Sequence, residues 1–260
     1  MKIGFIGCGN MGEAILAGVH AKHACRVCES RAERRAFLKK KYRVTMAELA
    51  DVIDAVDIVI LSVKPQDIGV VLDAVRGRPL GNKLFISIAA GIKTVSLEKA
   101  LGKGVRVVRV MPNLPAMAGE GMSGICRGKK ASAADLASAS VIFNAIGRTV
   151  IVPEKLMDAV TAVSGSGPAY VFFFAECLMQ AARQLGFNAR EAKELVYQTL
   201  AGSVRLLLES PDTADVLRRK VTSKGGTTEA ALAVLEKKDM AGIFSEALYA
   251  ARARAQQLSK

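Results

Sequence analysis

The chain is poor in the side chains that most often move protons or bind metals. Its 260 residues include two histidines and no tryptophan. His20 and His23 fall on or just after the first helical segment, away from every candidate site, and both read as surface residues. The five cysteines are odd in number and scattered. Cys25 and Cys28 have C-x-x-C spacing, but no second pair or suitably spaced histidine completes a zinc site. Segment 24–29 reads as a strand, where residues three apart face opposite sides, so these thiols are expected to be buried or incidental. No metal is expected. No apolar run of eighteen or more residues escapes charge or Gly/Pro punctuation, which argues against a membrane span. The start runs straight into a strand without a secretion pattern, so the cytoplasm is the expected compartment. Aromatic residues make up only 5% of the chain. They form no base-stacking platform, and there is no low-complexity tail, so nucleic acid is not an expected partner.

Positive charge is abundant: 37 Lys and Arg against 24 Asp and Glu give a net +13. Much of it lies in 31–43 (Arg31, Arg34, Arg35, Lys39, Lys40, Lys41, Arg43), which reads as a helix with a solvated basic face and an apolar stripe at Phe37 and Leu38. An anionic cofactor and substrate suit the remaining surplus.

Strand-like and helix-like segments alternate through the first half. Strands are expected at 2–6, 24–29, 57–63, 84–88, 105–110, 121–126 and 148–152. Helices are expected at 10–21, 31–41, 66–76, 94–101 and 132–146. This is the pattern of a doubly wound α/β domain with a parallel sheet covered on both faces. After Pro153 no strand is expected, and helical periodicity runs through 167–186, 189–209, 213–221, 227–236 and 239–258. The chain is therefore expected to divide into a Rossmann-type domain, 1–153, and an all-helical domain, 154–260.

The first domain carries Gly7-Cys8-Gly9-Asn10-Met11-Gly12 after a strand and at the mouth of a helix. The first glycine permits the tight turn, the second lets backbone approach a pyrophosphate, and the third lets helix and strand pack closely. The helix N-terminus supplies N–H groups and partial positive charge. Around Glu29-Ser30-Arg31 two chemistries compete. An acid here would bond ribose hydroxyls and favour NAD, whereas Ser30 and Arg31, with Arg34 or Arg35 nearby, suit the 2′-phosphate of NADP. The balance of charge favours NADPH, with NADH as the alternative. Glu29 and Arg31 also read as a simple charge pair at a helix start. Ser62-Val63-Lys64-Pro65 and Ala89-Ala90-Gly91 follow further strands, where small residues let a ribose or flat ring lie against the backbone. Asn113, in a loop fixed by Pro112 and Pro115, completes the candidate cofactor set.

In the second domain Ser223-Lys224-Gly225-Gly226-Thr227-Thr228-Glu229 places two glycines and a hydroxyl pair before a helix. Such a turn suits a small carboxylate, and it equally reads as a well-capped helix start.

Together with Val110-Met111-Pro112-Asn113, Ser164-Gly165-Ser166-Gly167-Pro168-Ala169-Tyr170 and Val221 to Leu235, these segments resemble the pyrroline-5-carboxylate reductase family over nearly the whole chain. The resemblance implies hydride transfer from NAD(P)H to the C=N bond of 1-pyrroline-5-carboxylate, giving L-proline. It implies a helical domain that interlocks with a second copy, with dimers that assemble further into rings. Phe172, Phe173 and Phe174 offer apolar surface for this. It also assigns the substrate carboxylate to Ser223, Gly225, Gly226, Thr227 and Thr228, with the Thr228 hydroxyl near the ring nitrogen. Leu114 stands where the family commonly has threonine, Lys224 where it often has proline, and Leu49 where an asparagine would help hold the adenosine ribose. The alternatives are another imine reductase of the same two-domain plan or a β-hydroxyacid dehydrogenase, which needs a lysine on the helix opening the second domain. Gly167 to Glu176 contains none.

Overall fold

A computed structural model describes residues 1–259. Strand β1 (Lys2–Ile6) leads through the glycine turn into α1 (Asn10–Val19), followed by β2 (Ala24–Cys28), α2 (Ala32–Tyr42), β3 (Thr45–Met46) and α3 (Leu49–Ala55). Then come β4 (Ile58–Leu61), α4 (Ile68–Val75), β5 (Leu84–Ser87), α5 (Thr94–Leu101), β6 (Arg106–Met111), β7 (Gly121–Arg127), α6 (Ala133–Asn144) and β8 (Gly147–Ile151). The strands join one eight-stranded sheet in the order β3-β2-β1-β4-β5-β6-β7-β8. Strands β4 and β5 are buried at every residue, so they read as unbroken apolar runs, as strands covered on both faces must.

Two apolar layers sandwich the sheet. One holds Phe5, Ile15, Leu16, Leu38, Ile142 and Phe143. The other holds Val52, Ile53, Val59, Leu72, Phe85 and Leu97. Cys25 packs on the first layer and Cys28 on the second, opposite faces of the same strand, and both are free thiols. Burial pushes the Cys25 thiol up to about 11.

All neighbouring pairs are parallel except β6 and β7, which run antiparallel, a departure from the parallel sheet expected. The link between them holds only a short 3₁₀ turn, Leu114–Ala118. A parallel return needs a crossover of a dozen or more residues, so the chain must double back. Strand β3 and helix α3 are additions to the expected elements.

Beyond β8 come a 3₁₀ turn (Glu154–Leu156), α7 (Met157–Val160) and a π turn (Thr161–Gly165) that leads into α8 (Gly167–Gln184). Helices α9 (Ala189–Glu209), α10 (Ala214–Lys220), α11 (Thr227–Lys237) and α12 (Met240–Leu258) complete the chain. By packing, one unit comprises Met1–Pro168 and the chain from Ala250 onward, and the other is Ala169–Tyr249. Residues 154–168 thus pack with the sheet, whereas the sequence pattern changes at Pro153.

The second unit buries little. Within it only Ala175, Ala192 and Val196 are buried, while Phe172 and Phe173 are 52% and 66% exposed in the single chain. Residues 154–184 also contain a window apolar and long enough to cross a membrane by length and composition, only 6% of it buried. The sequence reading argued against any such span. Charge is sparse along α8, and the helix forms little core of its own within the single chain.

Candidate active site

In the strand order, β1 lies between β2 and β4, so successive connections leave β1 in opposite directions. The crevice above its carboxyl end is where ligands bind in such sheets. Gly7 lies there with φ +76°, and a Cβ on it would come within 2.6 Å of Val63 Cγ1. A Cβ on Gly12 would meet Ser62 Oγ at 3.0 Å. Ser62 donates its hydroxyl to the Gly7 carbonyl at 2.5 Å, which ties the turn to the end of β4. Gly9 differs: nothing lies within 4 Å of where its Cβ would be. The backbone is open there, beside the N–H groups of Asn10 and Met11 in the first turn of α1, which have no acceptor within their own helix. An open glycine beside free amides at a helix N-terminus fits a dinucleotide pyrophosphate.

The turn is braced by two charged side chains. Glu29, 7% exposed, accepts the Cys8 N–H at 3.0 Å. It also accepts the Arg31 backbone N–H at 3.0 Å and two bonds from the Arg31 guanidinium, at 3.0 and 3.3 Å. Burial alone would raise the Glu29 carboxyl, but bonds from Arg31 and Cys8 outweigh it and hold the carboxyl below its ordinary value. Arg34 donates to the Cys8 carbonyl at 2.9 Å, to the Gly9 carbonyl at 3.2 Å and to Glu13 at 2.5 Å. Glu13 also accepts from Lys41 and Tyr42. These bonds outweigh burial and keep Glu13 below its ordinary value as well. Burial pushes the Cys8 thiol up to about 12, so it stays neutral and unreactive.

These contacts change the reading of helix 31–43. Arg34 is turned inward onto the glycine turn, and Arg35 pairs with Glu48 at 3.6 Å. Phe37 is 43% exposed, beneath Arg34 and Lys41 at 5.2 Å each, so Leu38 alone is buried. Arg31, though paired with Glu29, keeps its side chain 64% exposed, with Ser30 exposed beside it.

The other predicted cofactor residues fall in a row past adjacent strand ends: Ser62-Val63-Lys64-Pro65 beyond β4, Ala89-Ala90 beyond β5 and Asn113 beyond β6. Lys64, Pro65 and Ala90 are exposed, and Ala89 is buried. Asn113 is engaged within the protein. Its amide nitrogen donates to the Ser164 carbonyl at 3.0 Å, and its amide oxygen accepts the Met122 N–H at 2.8 Å. Each end makes one bond within the protein, so this side chain braces the start of β7 and the π turn and keeps one N–H and one oxygen lone pair for anything else.

A cavity of about 540 Å³ opens at the opposite, amino edge of the sheet, lined in part by Lys2, His23, Arg26 and Arg43. Helices α1 and α2 end at that edge, and basic residues there complement their free carbonyls. His20 Nδ1 lies 3.2 and 3.1 Å from the Leu16 and Ala17 carbonyls.

In the helical unit, Gly225 has φ +71°, and the Gly226 N–H donates to the Ser223 carbonyl at 3.0 Å. Glu229 reaches back and accepts the Gly225 N–H at 2.6 Å. A Cβ on Gly226 would strike Ser223 Oγ at 2.4 Å, so the hydroxyl lies against the turn. The Thr227 and Thr228 amides open α11 without intrahelical acceptors. Capping by Glu229 and helix-start amides without intrahelical acceptors thus coexist in one turn. Glu29, Arg34 and Glu13 had no sequence signal as braces, because each becomes one only through the fold.

Comparison with known proteins agrees at both ends of the chain. Residues 154–258 match the family model for pyrroline-5-carboxylate reductase dimerisation, and residues 2–91 match that for F420-dependent NADP oxidoreductases. The chain is 38% identical over 265 residues to a pyrroline-5-carboxylate reductase of Methanosarcina acetivorans, covering all of this chain and 98% of the relative. Its fold is similar to the solved pyrroline-5-carboxylate reductase of Coxiella burnetii (TM-score 0.92, 36% identity, 99% and 98% of the two chains covered). It is also similar to the Plasmodium falciparum pyrroline carboxylate reductase solved with NADP bound (TM-score 0.86, 31% identity, 100% and 98% covered).

Proposed function

The chain belongs to the pyrroline-5-carboxylate reductase family, nicotinamide-dependent oxidoreductases acting on a C=N bond, and from that premise we propose which of its residues carry the reaction. It reduces 1-pyrroline-5-carboxylate to L-proline, and its helical region serves self-association.

Residues 1–153 serve as the dinucleotide-binding domain and 154–260 as the substrate and dimerisation domain. The open backbone at Gly9 and the amides of Asn10 and Met11 hold the pyrophosphate, with Gly7, Cys8 and Gly12 shaping the turn. Ser30 and Arg31 hold a 2′-phosphate, which makes NADPH the preferred cofactor. The support is that Glu29 is already occupied by Cys8 and Arg31 and has no free oxygen lone pair aimed at a ribose. Ser62-Val63-Lys64-Pro65 and Ala89-Ala90 flank the ribose and nicotinamide. When bound, the reduced nicotinamide supplies the hydride.

Ser223, Gly225, Gly226, Thr227 and Thr228 hold the substrate carboxylate, and the Thr228 hydroxyl bonds the ring nitrogen. A protonated imine is already electrophilic, so positioning accounts for much of the acceleration and no dedicated acid is needed. The observation that carries this reading is the turn at Gly225, left-handed and closed by Glu229 beneath unpaired helix-start amides. A second copy covers the apolar faces of α8 and α9, in preference to a membrane, and dimers assemble into a ring. The enzyme works in the cytoplasm on a small imino acid and has no nucleic-acid partner.

The test follows oxidation of NADPH and NADH with pyrroline-5-carboxylate. Thr228→Ala lowers kcat by about tenfold, the worth of one hydrogen bond, and leaves the Kd for NADPH unchanged. Arg31→Ala lowers kcat/KM with NADPH by roughly ten- to a hundredfold, and with NADH by much less, the shared part coming from loss of the Glu29 counter-ion. Unchanged kinetics in Thr228→Ala defeat the substrate assignment. An equal loss with both cofactors in Arg31→Ala defeats the phosphate assignment.

A further inference from the structure

The loop after β5, Ile88–Lys93, carries the two alanines placed beside the nicotinamide. Ala89 and Ile92 are buried in the second apolar layer, and the Ile88 N–H donates to the Leu61 carbonyl at 3.1 Å. The remaining bonds of the loop are long: Ala89 N–H to Ser87 Oγ at 3.3 Å and Ile92 N–H to the Ala89 carbonyl at 3.4 Å. Gly91 adopts φ +74°. A polar anchor lies at the far end, where α5 begins. The residue preceding α5 is Lys93, which has no side-chain oxygen to cap the helix. The cap comes from sixty residues away. Glu154 accepts the Thr94 N–H at 2.7 Å on one oxygen and the Thr94 hydroxyl at 2.5 Å on the other. Thr94 is 4% exposed and Glu154 30%, so both bonds are partly shielded from water.

Glu154 is itself held from below. Arg109, 2% exposed and paired in register with Ser87 of β5, directs one guanidinium nitrogen to Glu154 at 3.5 Å and the other to Asp158 at 3.7 Å. The second nitrogen has no hydrogen bond among the described residues, so the arginine depends on both carboxylates for its counter-charge. Asp158 also accepts the Ser259 hydroxyl at 2.8 Å. Leu258, next to it, lays its carbonyl over Gly91, where a Cβ would come within 2.6 Å. A serine or aspartate at position 93 would cap α5 locally. Placing the cap on Glu154 instead makes the setting of this loop depend on the segment after β8.

We propose that Glu154 and Thr94 form a positioning pair for the known reaction, setting the Ala89–Gly91 loop against the nicotinamide, with Arg109 and Asp158 fixing Glu154. The proposal rests on the reading that this loop flanks the nicotinamide. Neither residue touches substrate or cofactor. They act through the loop, so they govern the approach of the hydride and leave the adenosine end of the cofactor alone.

The test compares Thr94→Val, Thr94→Ser, Glu154→Gln and Ala90→Val. Thr94→Val removes the hydroxyl bond in nearly the same volume. It is expected to lower kcat by about tenfold, since small misplacements of reacting groups cost rate steeply. The primary isotope effect with 4-deuterated NADPH rises, and the Kd for 2′,5′-ADP and the KM for pyrroline-5-carboxylate stay unchanged. Thr94→Ser restores kcat. Glu154→Gln repeats the pattern and serves if Thr94→Val does not fold. Wild-type kcat and isotope effect in both Thr94→Val and Glu154→Gln, with Ala90→Val impaired, overturn the pairing while the loop keeps its role. Ala90→Val with unchanged kinetics overturns the reading of the loop itself, and the pairing with it.

Discussion

The sheet unit and the helical unit solve the burial problem in opposite ways. The first encloses two apolar layers, with Phe5, Leu16, Phe85 and Phe143 fully buried. The second buries three small or medium residues and leaves Phe172, Phe173, Leu206 and Leu208 in the open. Apolar helices with so little interior are not stabilised by their own packing. One unit is complete within a single chain, and the other leaves an apolar face that the proposed second copy would cover.

The sharpest way to break this contrast is to charge the exposed face. Phe173→Asp is expected to abolish self-association at micromolar concentration, read by light scattering, and to melt the helices while the sheet unit stays folded. Retention of the dimer would show that the apolar face is covered in some other way. A core change in the sheet unit should behave differently. Leu16→Ala is expected to cost about 2–5 kcal/mol, with a melting temperature that drops by the same amount at every protein concentration. A concentration-dependent loss would erase the distinction between the units.

The smallest effect comes from acid. Glu29 and Glu13 have folded-state values below the ordinary 4.5, so their contribution is present above pH 4.5 and is lost as pH falls through the lowered values. Asp212 and Asp215 of the helical unit are also lowered, by Lys220 and by Thr213 with Arg219, but Asp215 is exposed and Asp212 only half-buried, so both are screened by salt. Thermal melts between pH 3 and pH 7 at about 0.5 M salt should therefore retain an acid-dependent loss in the sheet unit, and Glu29→Gln should flatten it. A loss that salt abolishes would assign it to surface pairs.

Strands β1, β4 and β5 were legible because burial on both faces leaves a short apolar run of strand length, bounded by turn residues. Strand β3, two residues long, and α3, seven residues long, lie below the length at which a period can be read. The antiparallel return of β7 is set by the brevity of the preceding link and not by the residues of β7. The glycine turn and the Gly225–Thr228 turn were legible as turns before helices because both depend on backbone geometry that favours glycine. Glu29 was ambiguous for a physical reason: an acid at a strand end looks the same whether it serves a ribose or the chain's own amides. Arg34 and Asn113 owe their roles to partners 26 and 51 residues away.

The occupied state of Glu29 also limits how this enzyme can be re-engineered. Installing an acid at position 31 to favour NADH would replace the counter-ion of a buried carboxylate with a second negative charge. The Cys8 amide and the pyrophosphate turn would be disturbed along with the ribose. Position 30, exposed and bonded to neither, is where a cofactor switch can be built without loosening the turn that every dinucleotide must use.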